Sequence, residues 1–208
     1  MDELPAARPG WMRALPLIAS ILAVLIGALL LVLPSIAPNN PSGRSTAASS
    51  SSASLTGQSG GLGRLPKEGE VIPDFQLGTL AGGTIRVSDL RGSPVIINFW
   101  ATWCGPCKQE MPFLVDAYNW NKGRGLRVLA VDSVAFDNLD DIQAFVDRYH
   151  MDFDIVLDTD DRISSDWAIM GLPTSFFIRP DGTIAKVHVG QMTVDQVSDY
   201  LKLIMPPG

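Results

Sequence analysis

An apolar segment that leads into the only two cysteines of the chain constrains the fold more than any other feature. Residues 94–99 read Pro-Val-Ile-Ile-Asn-Phe. A continuous apolar run of this length is typical of a strand that is buried on both faces of a central sheet. The pattern predicts a strand that ends at Trp103 and a helix over residues 106–120, so that Cys104 stands at the start of the helix.

Two pairs of short apolar runs around turn sequences predict β-hairpins. Residues 75–77 and 85–87 flank a Gly-Gly pair, and residues 174–178 and 183–189 flank the turn Pro-Asp-Gly. Glycine supplies the backbone conformations that tight hairpin turns need. We therefore expect one hairpin before the buried strand and one near the end of the chain.

The remaining elements alternate between strands and helices. Strands are predicted at residues 126–131 and 153–157, with a helix between them at residues 139–149. Thr193 and Gln196 have the spacing of a capping box and mark the start of a final helix. Alternation of this kind implies a mostly parallel sheet. The predicted fold class is α/β, with a central sheet flanked by helices.

The N-terminal part of the chain differs sharply from this domain. Residues 14–33 are uncharged and mostly apolar, and about 20 such residues suffice for a helix to cross a bilayer. Arg8 and Arg13 precede this run, and the next basic residue is Arg44. The positive-inside rule then places residues 1–13 in the cytoplasm and everything after the span outside.

These features divide the chain into four segments. Residues 14–36 are predicted to be a transmembrane signal anchor in the cell membrane, although a signal peptide cleaved after Ala37 is an open alternative. Residues 37–64 are rich in Ser, Ala and Gly, a composition typical of a flexible tether. Residues 65–208 form the folded domain. Both readings of the N-terminus place that domain on the extracytoplasmic side.

Charge and cysteine content limit the classes of function. The formal net charge of −6 argues against nucleic-acid binding, which normally uses a basic surface. Only two residues separate Cys104 from Cys107, and the chain has no other cysteine, so a structural disulfide framework is impossible. A disulfide between them closes too short a loop to constrain the unfolded chain strongly. Redox exchange and metal binding remain.

The junction of strand and helix suits redox chemistry. Unpaired N–H groups and the positive end of the helix dipole favour a thiolate at Cys104, the expected nucleophile. Pro106 is compatible with the first helical turn, and the spacing brings Cys107, the expected resolving thiol, within bonding reach. Glu110 lies one turn after Cys107 and is either a carboxylate that takes the proton of Cys107 or an ordinary exposed helix residue.

Metal and haem sites fit the sequence less well. A c-type haem site needs His after the second cysteine, where this chain has Lys108. A structural zinc site needs four ligands, and besides the two cysteines the chain offers only the distant His150 and His188. We expect these histidines to be a surface residue at a helix end and a strand residue. No metal or cofactor is predicted.

A second motif, Gly-Leu-Pro-Thr at residues 171–174, directly precedes a predicted strand. A proline at the start of a strand can be cis, but the sequence alone favours an ordinary trans proline at Pro173. Together with residues 98–107 (Asn-Phe-Trp-Ala-Thr-Trp-Cys-Gly-Pro-Cys), this motif resembles the thioredoxin superfamily. That resemblance implies a thioredoxin-like fold with a mixed sheet, in which Pro173 is cis and packs against the disulfide.

Further motifs resemble the membrane-anchored ResA/TlpA-like branch of that superfamily, over essentially all of residues 65–208. They are Pro-Asp-Phe at 73–75, Ser-Asp-Leu-Arg-Gly at 88–92, Glu-Met-Pro at 110–112, Val-Leu-Asp-Thr-Asp at 156–160 after an inserted strand and helix, and Gly-Gln-Met-Thr at 190–193. In that branch the glutamate that matches Glu110 is a functional active-site carboxylate.

The resemblance also implies a substrate site. The residue that matches Leu172 hydrogen-bonds the substrate through its backbone, and we expect Trp103, Gly105 and Pro106 to contact substrate as well. Asn98 stands where cytoplasmic thioredoxins have a buried aspartate, which shifts the handling of protons toward Glu110. The Gly-Pro pair between the cysteines differs from a cytochrome-maturation member with an acidic residue there, so its potential and substrate do not carry over.

The expected function is that of a tethered disulfide reductase. The branch suggests exported proteins as substrates, with haem-binding cysteines of apocytochrome c or copper-site cysteines as classes, and a membrane dithiol carrier as the source of electrons. Two alternatives remain. A Sco-type copper chaperone has a wider Cys spacing and a ligand histidine. A peroxiredoxin-like peroxide reductase places Thr three residues before its nucleophile, whereas Thr102 lies two before Cys104.

Overall fold

The apolar segment before the cysteines forms the central strand of a mixed β-sheet. The structure is a computed structural model that describes residues 63–133 and 137–206. All six residues of the strand, Val95–Trp100, are buried, and it has sheet neighbours on both sides. The strand ends at Trp100, so the prediction that it extends to Trp103 is wrong. Residues 101–103 form a turn between the strand and the helix.

Seven strands and four α-helices make up the described residues. The strands are β1 (Gln76–Thr79), β2 (Thr84–Arg86), β3 (Val95–Trp100), β4 (Arg127–Asp132), β5 (Asp154–Leu157), β6 (Thr174–Ile178) and β7 (Ile184–Val189). The helices are α1 (Gly105–Asn121), α2 (Leu139–Tyr149), α3 (Arg162–Asp166) and α4 (Val194–Ile204). Short 3₁₀ turns at Val87–Leu90 and Lys122–Arg124 complete the order. Every strand and helix predicted within residues 65–208 is present, with ends that differ by a few residues at most.

The sheet has the strand order β2-β1-β5-β4-β3-β6-β7. Strand β4 runs parallel to both β3 and β5. All other pairings in the sheet are antiparallel. The sheet is therefore mixed, as the family resemblance implies, and the expectation of a mostly parallel sheet is wrong because the two hairpins extend it at both edges.

The alternation of side chains along β3 separates two cores. Ile96 and Trp100 pack with the helices α1, α2 and α4 on one face of the sheet. Ile97 and Phe99 face the other side and pack against an aromatic group that includes Trp167. The ring of Trp167 lies 5.6 Å from that of Phe99. Because both faces are covered, β3 is fixed rigidly, and so is the turn that carries Cys104.

Helix α3 was not predicted from the sequence, and a buried carboxylate holds it in place. Asp158 is fully buried and accepts hydrogen bonds from the N–H groups of Ile163 and Ser164 at 3.1 and 2.8 Å. It also accepts one from the hydroxyl of Ser164 at 2.9 Å. These bonds satisfy donors that a helix of five residues cannot pair internally. The segment after β5 is thereby fixed beside the cysteines.

The start of α4 follows the capping-box prediction. The side chain of Thr193 accepts from the N–H of Gln196, and the side chain of Gln196 accepts from the N–H of Thr193. The predicted anchor at residues 14–36 and most of the tether at residues 37–64 lie outside the described residues, and they stay predictions. No helix in the part of the chain that the structure describes is long and apolar enough to cross a membrane.

Candidate active site

Cys104 and Cys107 form a disulfide at the start of α1. Their Cα atoms are 5.3 Å apart and their sulfur atoms 2.03 Å apart. Cys107 is completely buried, whereas the surface of Cys104 is 4% exposed. An incoming thiol or disulfide can therefore reach only the sulfur of Cys104. The accessible sulfur thus belongs to the residue that the sequence predicts to attack, and the buried sulfur to the predicted resolving thiol.

The end of α1 provides the electrostatic environment of Cys104. Cys104 is the N-cap residue of this helix of 17 residues, and its sulfur accepts a hydrogen bond from the N–H of Cys107 at 3.1 Å. Pro106 lies in the first turn, where its lack of an N–H is tolerated. In the reduced protein, the positive end of the helix favours a thiolate at this position.

A network of buried hydrogen bonds surrounds Glu110. The side chain is completely buried, which excludes the alternative of an exposed helix residue. Its Oε1 accepts from Nδ2 of Asn98 at 2.9 Å, and its Oε2 accepts from the N–H of Met192 at 3.0 Å. Asn98 also donates to the hydroxyl of Ser175 at 2.9 Å. Two distant segments of the chain thus donate to one carboxyl group, and a third, at Ser175, helps to hold the donor Asn98.

Burial dominates the protonation of this carboxyl group. Removal from water raises the pKa of Glu110 from its ordinary 4.5 to about 7, while the hydrogen bonds from Met192 and Asn98 favour the charged form and oppose the rise. A group with such a pKa can both accept and return a proton near neutral pH. Glu110 lies three residues after Cys107 on α1, and residues at that spacing lie on the same helix face.

The loop before β6 lies beside the disulfide. The peptide bond between Leu172 and Pro173 is cis, as the family resemblance implies. Pro173 is buried and Leu172 is half-buried. Within the described residues, the backbone N–H and C=O of Leu172 have no hydrogen-bond partner. They are therefore free to pair with an extended peptide, which is the role that the resemblance implies for Leu172.

A groove of about 740 Å³ opens next to Cys104. Trp103, Gly105, Pro106 and Leu172, the four residues expected to contact substrate, all line it. Trp103 is 58% exposed and Met170, on the opposite segment, is 93% exposed. Both line the same groove, and a contiguous exposed apolar patch commonly marks a contact site for another molecule. The volume is large enough for a few residues of a polypeptide.

Several residues of the site were not found from the sequence. Ile169, Met170 and Asp161 belong to the groove wall, and Met192 supplies a hydrogen bond to Glu110. The groove-wall residues lie in the segment around α3, whose few apolar positions show no clear period. The donor of Met192 is a backbone group, which side-chain identity does not reveal.

The two histidines lie where the sequence places them. His150 ends α2 at the surface. His188 is in β7, and its Nδ1 lies 3.3 Å from the hydroxyl of Tyr200. Among residues 63–133 and 137–206, no group of three or more His, Cys, Asp and Glu side chains is placed to hold a metal ion.

The fold and the site define a class of protein: a thiol-disulfide oxidoreductase with a thioredoxin-like domain. The chain belongs to the AhpC/TSA family, whose model matches residues 69–187. It is 38% identical to the thiol-disulfide oxidoreductase ResA of Bacillus subtilis over 143 residues, which cover 67% of this chain and 76% of that protein. A ResA from Oceanobacillus iheyensis is 35% identical over 147 residues, 69% of this chain and 76% of that protein.

Comparison with solved structures supports the same class of protein. StoA from Bacillus subtilis matches with a TM-score of 0.54 at 28% identity, over 63% of this chain and 98% of that chain. A secreted Mycobacterium tuberculosis disulfide oxidoreductase, described as homologous to Escherichia coli DsbE, matches with a TM-score of 0.57 at 25% identity, over 62% and 96% of the two chains. The chain is thus a relative of the ResA enzymes with structural neighbours of the DsbE and StoA type.

Proposed function

We propose that this enzyme reduces disulfides of exported proteins on the outer side of the cell membrane, to which residues 14–36 tether it. One observation carries the proton transfer in this reaction, and the resemblance to the ResA/TlpA-like branch favours the reducing direction. Glu110, a buried carboxyl group with a pKa of about 7, lies one helical turn after the buried thiol Cys107. A reductase needs such a group because its resolving thiol must lose a proton where water cannot accept it.

The proposed reaction has two exchanges. The thiolate of Cys104 attacks one sulfur of the substrate disulfide, which forms a mixed disulfide and releases the other substrate sulfur as a thiolate. Cys107 passes its proton to Glu110 and attacks the sulfur of Cys104. The bond between Cys104 and Cys107 forms as the bond between Cys104 and the substrate breaks, and the second substrate sulfur leaves as a thiolate that takes a proton from the surrounding water. Two electrons have then moved from the enzyme to the substrate.

Each later turnover needs a reductant. A disulfide between Cys104 and Cys107 has to be reduced again by a dithiol, and outside the cytoplasm a membrane dithiol carrier is the chemical class that can supply one. Substrates are disulfides of exported proteins. The resemblance to the ResA/TlpA-like branch favours haem-binding cysteines of apocytochrome c or copper-site cysteines among them.

Two features of the chain support the proposed location. Residues 14–33 carry no charge and are long enough to span a bilayer. Arg8 and Arg13 lie before this run, so the positive-inside rule leaves residues 37–208 outside. The Mycobacterium tuberculosis relative is described as secreted. The proposed tether, residues 37–64, then lets the domain reach partners near the membrane.

The chemistry is tested by single-turnover reduction of a peptide disulfide with the reduced full-length chain. Cys104→Ser is expected to abolish the reaction, whereas Glu110→Gln slows resolution by roughly 100-fold and removes the pH dependence centred near 7. Glu70→Gln is the matched control, since this exposed carboxylate pairs with Arg64 away from the groove. Full reducing activity in Cys104→Ser would refute the mechanism.

The location is tested with the Cys107→Ala variant, whose remaining thiol is Cys104. After a brief treatment with a chemical reductant that frees Cys104 from mixed disulfides, and removal of that reductant, a sulfonated maleimide that cannot cross membranes should label Cys104 in intact cells to the same extent as in lysed cells. Labelling that appears only after lysis would place the domain in the cytoplasm and refute the proposed location. A cytoplasmic protein with an accessible cysteine serves as the control for cell integrity.

A further inference from the structure

The groove beside Cys104 has an uneven distribution of charge. Trp103, Ile169, Met170 and Leu172 make much of its surface apolar. Within the described residues, its wall contains one carboxylate, Asp161, and no lysine, arginine or histidine side chain. A reduced Cys104 thiolate adds a second negative charge to the same groove. In the reduced enzyme, the formal charges that the described residues place in this groove are therefore all negative.

Among the described residues, two hydroxyl groups are the hydrogen-bond partners of the Asp161 carboxylate. Its Oδ1 accepts from Ser133 at 2.6 Å, and its Oδ2 accepts from Ser165 at 3.3 Å. A carboxylate has about four acceptor positions, so others remain open. The nearby cation Arg162 lies within 4.0 Å of Asp160 and 3.9 Å of Asp166. In the described part of the chain, Asp161 itself forms no ion pair.

The backbone around Asp161 is also fixed. Asp161 has a φ of 53°, in the left-handed region, where Asp and Asn are among the tolerated residues. It is the N-cap position of α3, and the buried Asp158 anchors this helix through Ile163 and Ser164. The carboxylate is therefore presented to the groove by a rigid segment.

We propose that Asp161 makes the enzyme selective for protein disulfides that have a cationic side chain next to the reacting cysteine. This inference rests on the proposed function and specifies its substrate class. A lysine or arginine in the groove can lay its aliphatic stem along Met170 and Ile169 while its charged end meets Asp161. An acidic side chain in the same place meets two negative charges and no compensating cation.

The test uses three synthetic peptides, each with one intramolecular disulfide, that differ only in the residue beside one cysteine: Lys, Gln or Glu. The measured quantity is the second-order rate constant for oxidation of the reduced full-length chain at low salt. We expect the Lys peptide to react about tenfold faster than the Glu peptide, since attraction and repulsion each change the rate a few-fold. Salt at about 1 M should largely remove the difference.

Variants locate the effect. In Asp161→Asn, which tolerates the same backbone conformation and can still accept from Ser133, the ratio of the Lys to the Glu rate should fall to about one. Asp161→Lys should invert it. Asp160→Asn is the matched control, because it removes the same charge one residue away, outside the groove, and should keep the tenfold ratio.

Two results would overturn the inference, and they are distinguishable from failure of the proposed function. Equal rates for all three peptides in the wild type, or a ratio that falls as far in Asp160→Asn as in Asp161→Asn, would show that Asp161 does not select the substrate. If none of the peptides oxidises the reduced chain, the reductase function itself fails, and the inference fails with it.

Discussion

Glu110 gives the sharpest quantitative prediction, because its burial ties the pKa to stability. Burial raises the pKa of Glu110 from 4.5 in an unfolded chain to about 7 in the folded one. The folded chain thus binds this proton more tightly, and the free energy of unfolding falls as the pH rises from 4.5 to about 7. The difference in pKa corresponds to a loss of about 3 kcal/mol. Below pH 4.5 the loss is absent, and above pH 7 it is complete.

The perturbation is Glu110→Gln, and the assay is urea unfolding of the oxidised full-length chain in detergent between pH 4 and 8. Glutamine does not titrate, so the variant should not show this loss. It forfeits a hydrogen bond, because its NH₂ group faces another donor, and we expect it to be less stable than the wild type at pH 4.5 by about 1–3 kcal/mol. Towards pH 8 the wild type should lose about 3 kcal/mol of unfolding free energy that the variant keeps. The two chains should then be equally stable, or the variant should be the more stable one.

The comparison between the two chains isolates Glu110, since every other titrating group contributes equally to both. Glu70→Gln serves as a control. The hydrogen bond and charge of Arg64 lower the pKa of Glu70. The contribution of Glu70 to the free energy of unfolding therefore changes below pH 4.5, outside the range from pH 4.5 to 8 in which the chains are compared. If wild type and Glu110→Gln lose stability in parallel from pH 4.5 to 8, Glu110 does not have a raised pKa and the proposed proton transfer loses its basis.

Three further predictions follow from buried and exposed groups around the groove. Asp158→Ala removes the acceptor of three hydrogen bonds from the start of α3, so urea unfolding should show a loss of about 2–4 kcal/mol; a loss below about 1 kcal/mol would mean that α3 does not depend on it. Burial, and then the charge of Asp137, raises the pKa of Asp132 to about 8. From pH 6 to 9 the free energy of unfolding of the wild type should therefore fall by about 3 kcal/mol more than that of Asp132→Asn. Parallel pH profiles of the two chains would contradict this. Met170→Ala, at a side chain that is 93% exposed, should change stability by less than about 0.5 kcal/mol yet raise KM for peptide disulfides more than it lowers kcat; an unchanged KM would exclude Met170 from substrate binding.

The sequence was informative where burial has a simple pattern along the chain. Strand β3 was predicted because all its positions are apolar except Asn98, and this holds for a strand covered on both faces. The hairpins were predicted from their turn residues, and the start of α4 from its capping box. The parallel or antiparallel sense of the pairings is not encoded locally. The alternation of strands and helices therefore led to the wrong expectation of a mostly parallel sheet.

The disulfide could be predicted from the spacing of the cysteines and the cis form of Pro173 only from the family resemblance, whereas the surroundings of the site could not be predicted. The spacing of Cys107 and Glu110 placed both on one helix face, whereas the burial of Glu110 depends on Met192, which is distant in sequence. The groove wall at Asp161 depends on a five-residue helix, which is too short to show an apolar period. The hydrogen bonds to buried Asp158 that position this helix form only in the folded chain and are not apparent from the sequence.

Attack of Cys104 on disulfides of exported proteins is the central claim, and trapping with Cys107→Ala tests it most directly. Without the resolving thiol, a mixed disulfide at Cys104 cannot be released by the enzyme itself. Expressed as the full chain, this variant should carry exported proteins in adducts that a chemical reductant dissolves and that the double variant Cys104→Ser, Cys107→Ala does not form. Recovery of no adduct, or of adducts only with cytoplasmic proteins, would contradict the account.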